Sequence, residues 1–204
     1  MKLVENYYRL HRFIFTRTDH LSGLGPLALR LFLVPVFWVA GTNKLAGFDG
    51  VVEWFGNSEW GLGLPFPALM AMLALGAEIV GAALLLLGLA VRWITLPLMV
   101  VMLVAIFGVH WENGWQAIHD PMSWGATANT QEAVERLDVA KSLLQEHGNY
   151  QWLTGKGNLV MSNNGIEFGV TYLVMLLALF FSGGGRFFSV DFYLNKHFSK
   201  QNPA

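Results

Sequence analysis

The sequence predicts an all-α integral membrane protein: a four-transmembrane-helix bundle with an interfacial N-terminal helix and a partly helical extracytoplasmic cap. Three observations predict it. Charged residues make up 13% of the chain, about half the usual globular share, and 54% are hydrophobic, which favours lipid over water as the solvent. The apolar residues are gathered into four blocks, each close to the roughly 20 residues that cross a bilayer as a helix. Lys and Arg are placed asymmetrically around those blocks.

The chain begins with Leu3, Tyr7, Leu10 and Ile14 at helical spacing, with Arg9 and Arg12 between them, and the breaker Gly23-Leu24-Gly25-Pro26 follows. This pattern predicts an amphipathic helix lying in the membrane interface. The first block, 26–45, contains LFLVPVFWVA followed by Gly41. About thirty residues precede that run and three further blocks follow, so it reads as a signal anchor and not as a cleaved leader. The second and third blocks are 67–89 and 93–111, and the fourth is 165–182. Pro26, Pro65 and Pro67 sit at entries, where a missing N–H costs little, whereas Pro35 and Pro97 are expected to kink their helices.

Between the third and fourth blocks, about fifty residues are too many for a plain connector. Ala133, Leu137, Ala140 and Leu144 form an apolar stripe, Thr130 or Asn129 is a candidate N-cap, and Gly148 lies just past the end. A helix with such a stripe must be covered, so the segment is expected to form a cap. Trp111, Trp115, Trp124 and Trp152 bracket it, as rings at an outer interface do. The expected organisation is an interfacial segment 1–25, a membrane domain 26–192 with outward loop 112–164, and a tail 193–204.

Lys2, Arg9, Arg12 and Arg17 precede the first block, Arg92 fills the tight second connection, and Arg186, Lys196 and Lys200 follow the fourth, while the other two connections hold mainly acids. The positive-inside rule then places both termini in the cytoplasm of a multi-pass inner (plasma) membrane protein. A formal net charge of −1 gives no basic excess to suggest nucleic acid, and the absence of Cys excludes disulfides, thiol catalysis and thiolate-bound metal. There is no phosphate-cradling loop: the GGGR of 183–186 follows an apolar block and reads as a helix stop, with Ser189 or Asp191 capping a short terminal helix. Asp191 is also placed to pair with Arg186, Arg92 or Arg30.

Several segments, in order and at membrane spacing, carry a resemblance: AGTNKL (40–45), LPFPAL (64–69), AEIVGAALLLLGL (77–89) with Arg92, MLVAIFGVH (102–110) and GGGRFFSVDF (183–192). Together they resemble the DoxX family of small four-helix membrane proteins. NGW (113–115), NNGIEF (163–168) and the GGGR ending further resemble an HvfX-like subgroup found beside enzymes that mature copper-binding ribosomal peptides. The resemblance implies a link to quinone-coupled oxidoreductase complexes, to oxidative-stress responses and to soluble redox or peptide-maturation partners. It fixes the fold better than the function.

The ionisable residues within or bordering the blocks are Arg30, Lys44, Glu78, His110 and Glu167. A charge placed in a membrane costs at least about 2.5–3.5 kcal/mol, so each calls for a partner or a role. Arg30 sits about a turn inside one end, where snorkelling is cheap. Lys44, His110 and Glu167 lie near the outward ends of three blocks, and Glu78 alone is central. Arg30, Phe37, Gly41 and Lys44 share one helix face; Ala71, Ala74, Glu78, Gly81 and Ala82 share another, a small-residue face that packs on neighbouring helices. A buried carboxylate there is stable either protonated or ionised beside a cation, and Arg30 and Lys44 both qualify as that cation. A fixed ion pair that sets helix register is one reading, and a proton or quinol-hydroxyl acceptor is the other.

The residues assigned to catalysis are Glu78 and His110, and those assigned to ligand binding are Arg30, Lys44, Glu78, His110 and Glu167, with a quinone as the expected cofactor. His110, Glu112, His119 and Asp120, with Met102 or Met122, have donor types that suit Zn or Cu, but their spacing matches no established motif and no metal is assigned. A hydrogen bond from His110 to Glu167 is the simpler expectation. Heme lacks a facing pair of ligands. The expected function is a quinone-interacting or accessory membrane subunit, an oxidoreductase component with no electron carrier of its own. Against it stand a non-catalytic scaffold that recruits soluble partners through the N-terminal helix and the cap, and a small proton, metal or solute transporter. Under any of these readings an oligomer is compatible with the sequence. A transporter needs a polar path, and one half of the bundle offers only Arg30 to line it.

Overall fold

The computed structural model describes residues 2–201, and among them every regular element is helical. The helices are α1 (Lys2–Thr18), α2 (Leu24–Ala46), α3 (Phe48–Gly56), α4 (Pro67–Leu87), α5 (Val91–Val104), α6 (Ala128–His147), α7 (Tyr150–Thr154), α8 (Glu167–Ser182) and α9 (Val190–Gln201). The chain divides into two compact units, one of residues 1–99 with 175–204 and the other of residues 100–174.

Three helical stretches are long and apolar enough to cross a bilayer: Leu24–Ala46, Pro67–Leu87 and Val91–Asn113. The fourth expected block is the helix α8, of 16 residues. At about 1.5 Å per residue it reaches about 24 Å, short of a hydrocarbon core of about 30 Å. Its start is set by Glu167, whose backbone is drawn into the loop pairing described below.

In the first unit α2 and α4 run antiparallel. Arg30, near the start of α2, bonds to the carbonyl of Leu85 near the end of α4, while Gly41, later in α2, abuts Glu78 and Ile79. The approach at Gly41 is close: a Cβ there would fall 2.7 Å from Ile79 Cγ1 and 3.2 Å from the Ile79 nitrogen. The expected faces are the buried ones. Arg30, Leu33, Phe37 and Gly41 are buried on α2, and Ala71, Glu78, Gly81, Ala82 and Leu85 on α4. Lipid tails are as apolar as these side chains, so the association depends on close packing and polar bonds and not on water release. Gly81 receives Leu98 of α5 in the same way.

Sequence boundaries required correction at several places. Only Gly23 of the breaker stays outside α2, because Gly25 and Pro26 fall in its first turn, where N–H groups lack partners anyway. Pro35 and Pro97 lie within α2 and α5, inside the blocks where the sequence placed them. The short helix α3, in the first connection, was not anticipated; it packs against α4. The expected tail 193–204 lies largely within α9, and residues 202–204 lie outside the described residues.

In the second unit the third apolar stretch does not stay α-helical. It widens to a π turn over Ala105–His110 and tightens to a 3₁₀ turn over Trp111–Asn113. Beyond it, NGW and NNGIEF pair through the backbone. Asn163 and Asn164 donate to the Ala117 carbonyl, Gly165 to Gln116, Ile166 to Gly114 and Glu167 to Trp115. Gly165 is needed for that approach, since a Cβ would fall 2.4 Å from the Gln116 oxygen. The loop helix α6 turns its stripe inward, with Ala133 buried and Leu137, Ala140 and Leu144 half-buried. Its N-cap is Thr127, not Thr130 or Asn129. Thr130 is instead the third helical residue and returns the bond, its Oγ1 accepting from the Thr127 N–H at 2.9 Å.

Candidate functional site

Glu78 stands in the middle of α4 on a face of small residues, and the closeness of α2 at Gly41 brings Lys44 within reach one turn further on. Lys44 Nζ donates to both carboxylate oxygens, at 2.7 and 2.8 Å. The Glu78 side chain is 2% exposed and the Lys44 side chain 27% exposed, so the pair is reached from the lysine side. Of the two cations on α2, Lys44 is therefore the partner, and the central carboxylate has both oxygens satisfied by one charge.

Arg30 does something else. It is fully buried and does not snorkel. Nη1 donates to the Leu85 carbonyl at 3.0 Å, and Nη2 donates to the Phe187 carbonyl at 2.8 Å; both also reach the Phe188 carbonyl at 3.3 Å. A helix leaves its last carbonyls without intrahelical partners, and the guanidinium fork supplies donors for the end of α4 and for the loop before α9 together. Gly88 makes room: its φ is +64°, and a Cβ would lie 2.4 Å from Arg30 Nη1. Ser189 Oγ donates to the Gly88 carbonyl at 3.0 Å.

Asp191 was expected to cap its own helix or to pair with Arg186, Arg92 or Arg30. Its carboxylate caps a different helix, accepting from Ala90 N–H at 2.7 Å and Val91 N–H at 2.9 Å, the open donors at the start of α5. The salt bridges among the described residues include none of the three expected pairs. Sequence reasoning missed this cluster as a unit. Its one readable signal was Gly88, a glycine just past an apolar run.

His110 and Glu167 belong to the second unit, and they do not bond to each other as expected. The His110 Nδ1 lies 2.8 Å from the Asn164 carbonyl, and the Glu167 carboxylate accepts from the Ala117 N–H at 2.9 Å. Both side chains hold the paired loop. Asn163 is the buried centre of that loop, donating at 2.7 Å to the carbonyls of Asn113 and Gln116. His119 faces the Met161 carbonyl, and no group of three His, Cys, Asp or Glu that could hold a metal occurs among the described residues.

A family model for DoxX matches residues 25–111, somewhat less than half of the chain. The match takes in Arg30, Lys44, Glu78 and His110 and stops before Glu167. No curated protein and no solved structure matches the chain. The apolar helices and the match to this membrane family agree: this is a membrane protein.

Proposed function

We propose that the protein is a quinone-interacting membrane subunit, with Lys44 and Glu78 as the headgroup site. The observation that carries the reading is the asymmetric pair: a nearly fully buried carboxylate bonded to a lysine that is itself partly exposed. In apolar surroundings such a pair offers a fixed donor for a quinone carbonyl and an acceptor for a quinol hydroxyl. When a quinol is oxidised to the quinone, both O–H bonds break: one proton passes to the Glu78 carboxylate, the other to water, and the two electrons pass to a carrier held by a redox partner. The chain has no Cys and no evident electron carrier, so that partner is part of the proposal.

His110 is proposed as a second proton-exchanging group, through the ring nitrogen that does not face Asn164. Glu167 and Arg30 are assigned to holding backbone. The four-span arrangement with α8 as the fourth crossing, the outward cap, the inner-membrane location with cytoplasmic termini, and the HvfX-like association with copper-peptide maturation belong to the same proposal. They rest on the positions of Lys and Arg and on the NGW and NNGIEF motifs.

The test is to extract the protein gently, measure co-purified quinone, and titrate a soluble quinone analogue into wild type, Glu78→Gln, Lys44→Ala and His110→Ala. Binding weakened at least tenfold in the first two variants, with melting behaviour showing them folded, supports the site. A folded Glu78→Gln that binds as wild type removes it. One observation favours a scaffold instead: Lys44 and Glu78 already satisfy each other. A wild-type protein that binds no quinone makes the pair a register device between α2 and α4.

A further inference from the structure

Two helices at the ends of the first unit, α1 and α9, leave from one place. Arg186 donates to the His20 carbonyl in the turn before α2, and a Cβ on Gly23 would collide with Arg186 and Phe187. Arg30, just inside α2, holds the carbonyls of Phe187 and Phe188, three and two residues ahead of α9. The two helices therefore flank the same end of α2.

Both are two-faced, and their apolar faces are uncovered. At about 100° per residue, Leu3, Tyr7, Leu10 and Ile14 share one arc of α1, Arg9 and Arg12 lie on the other, and Arg17 borders the apolar arc beside Leu10. The four apolar side chains are all exposed. On α9, Val190, Tyr193, Leu194 and Phe198 share an exposed arc, with Lys196 on the opposite side. Acids are scarce on both. Glu5 is the one acid in the α1 sequence, and the one acid of α9, Asp191, has its carboxylate engaged at the start of α5.

We infer that α1 and α9 together form a basic collar that docks on an anionic lipid surface. Residues 19–23 link α1 to a membrane-spanning stretch and extend at most about 18 Å, so α1 stays at the membrane boundary. An exposed apolar arc held there meets acyl chains, and the Arg and Lys residues beside it meet headgroups. Each basic side chain adds to binding when those headgroups are anionic. The inference does not depend on the quinone reading.

The absence of native Cys makes the test direct. Single variants Leu10→Cys and Leu194→Cys report the apolar arcs and Thr16→Cys the polar arc, each in the full chain carrying an environment-sensitive fluorophore. The proteins are reconstituted into vesicles of phosphatidylcholine alone or mixed with phosphatidylglycerol. With phosphatidylglycerol, the Leu10 and Leu194 labels are expected to be several-fold less quenched by aqueous iodide than the Thr16 label. High salt, or Arg9→Gln, Arg12→Gln and Arg17→Gln together, should remove much of the Leu10 protection. Equal quenching at all three sites overturns the collar, as does protection that is the same in phosphatidylcholine alone. Protection in detergent that rises with protein concentration also overturns it, because the covering surface is then a second copy.

Discussion

The Arg30 guanidinium donates at 2.8 Å to the carbonyl of Phe187, 157 residues further along the chain. One side chain thereby ties α2 to the loop that launches α9, and through Leu85 to the end of α4. Removing it takes the guanidinium donors from the partly buried Phe187 and Phe188 carbonyls and one of two donors from Leu85, which keeps the Gly88 N–H, at about 1–3 kcal/mol for each acceptor left unpaired. Arg30→Ala is expected to lower stability in detergent by about 3 kcal/mol or more. Arg30→Lys should recover only part of that, since an ammonium lacks the planar fork. A melting temperature for Arg30→Ala equal to wild type would refute the clamp.

Gly88→Ala tests the same place from the other side. The left-handed φ costs about 1–2 kcal/mol for a residue with a Cβ, and the new methyl would sit against Arg30 Nη1 and 2.8 Å from Ser189 Cα. The expected loss exceeds that of Gly25→Ala, where a Cβ meets nothing within 4 Å. Comparing the two in one melting experiment separates the clash from a general intolerance of alanine.

Asp191→Ala should cost about 0.5–2 kcal/mol, the range for losing a helix cap, although the helix capped lies about a hundred residues away in sequence. Asp191→Asn keeps one acceptor oxygen and should cost less. Hydrogen exchange at the Ala90 and Val91 amides gives the local readout. Faster exchange there in Asp191→Ala is the expected result, and unchanged exchange counts against the cap.

For Lys44 and Glu78, Glu78→Lys is expected to destabilise more than Glu78→Gln, because the amide keeps shape and hydrogen bonding while a lysine sets two cations together. The double variant Lys44→Met with Glu78→Gln should be less destabilised than the two single effects added, since neither charge is then left unpaired. Strict additivity of the two changes in detergent melting would mean the residues do not interact.

Topology gives a prediction of another kind. A reporter fused after Ala204 and another inserted beside Gly148 are expected on opposite sides of the membrane. Finding both on one side would break the four-span reading and leave α8 as a helix that does not cross.

The sequence by itself determined where the apolar helices lie and which faces they bury, because a bilayer demands long uncharged runs and small residues permit close approach. The α2 and α4 faces were legible in this way, as was the inward stripe of α6. It could not decide between Arg30 and Lys44 as the partner of Glu78. Both lie on one face of α2, and periodicity specifies a direction around the axis without a height relative to another helix. The antiparallel offset of α2 against α4 decided it, setting Lys44 level with the carboxylate and Arg30 level with the carbonyls at the helix end. The same limit hid Asp191 and Asn163, whose partners are backbone groups of segments distant in sequence. Backbone N–H and C=O groups are alike at every residue, so no sequence pattern marks which of them will be left open and in need of a side chain. Only the folded chain places donor beside acceptor.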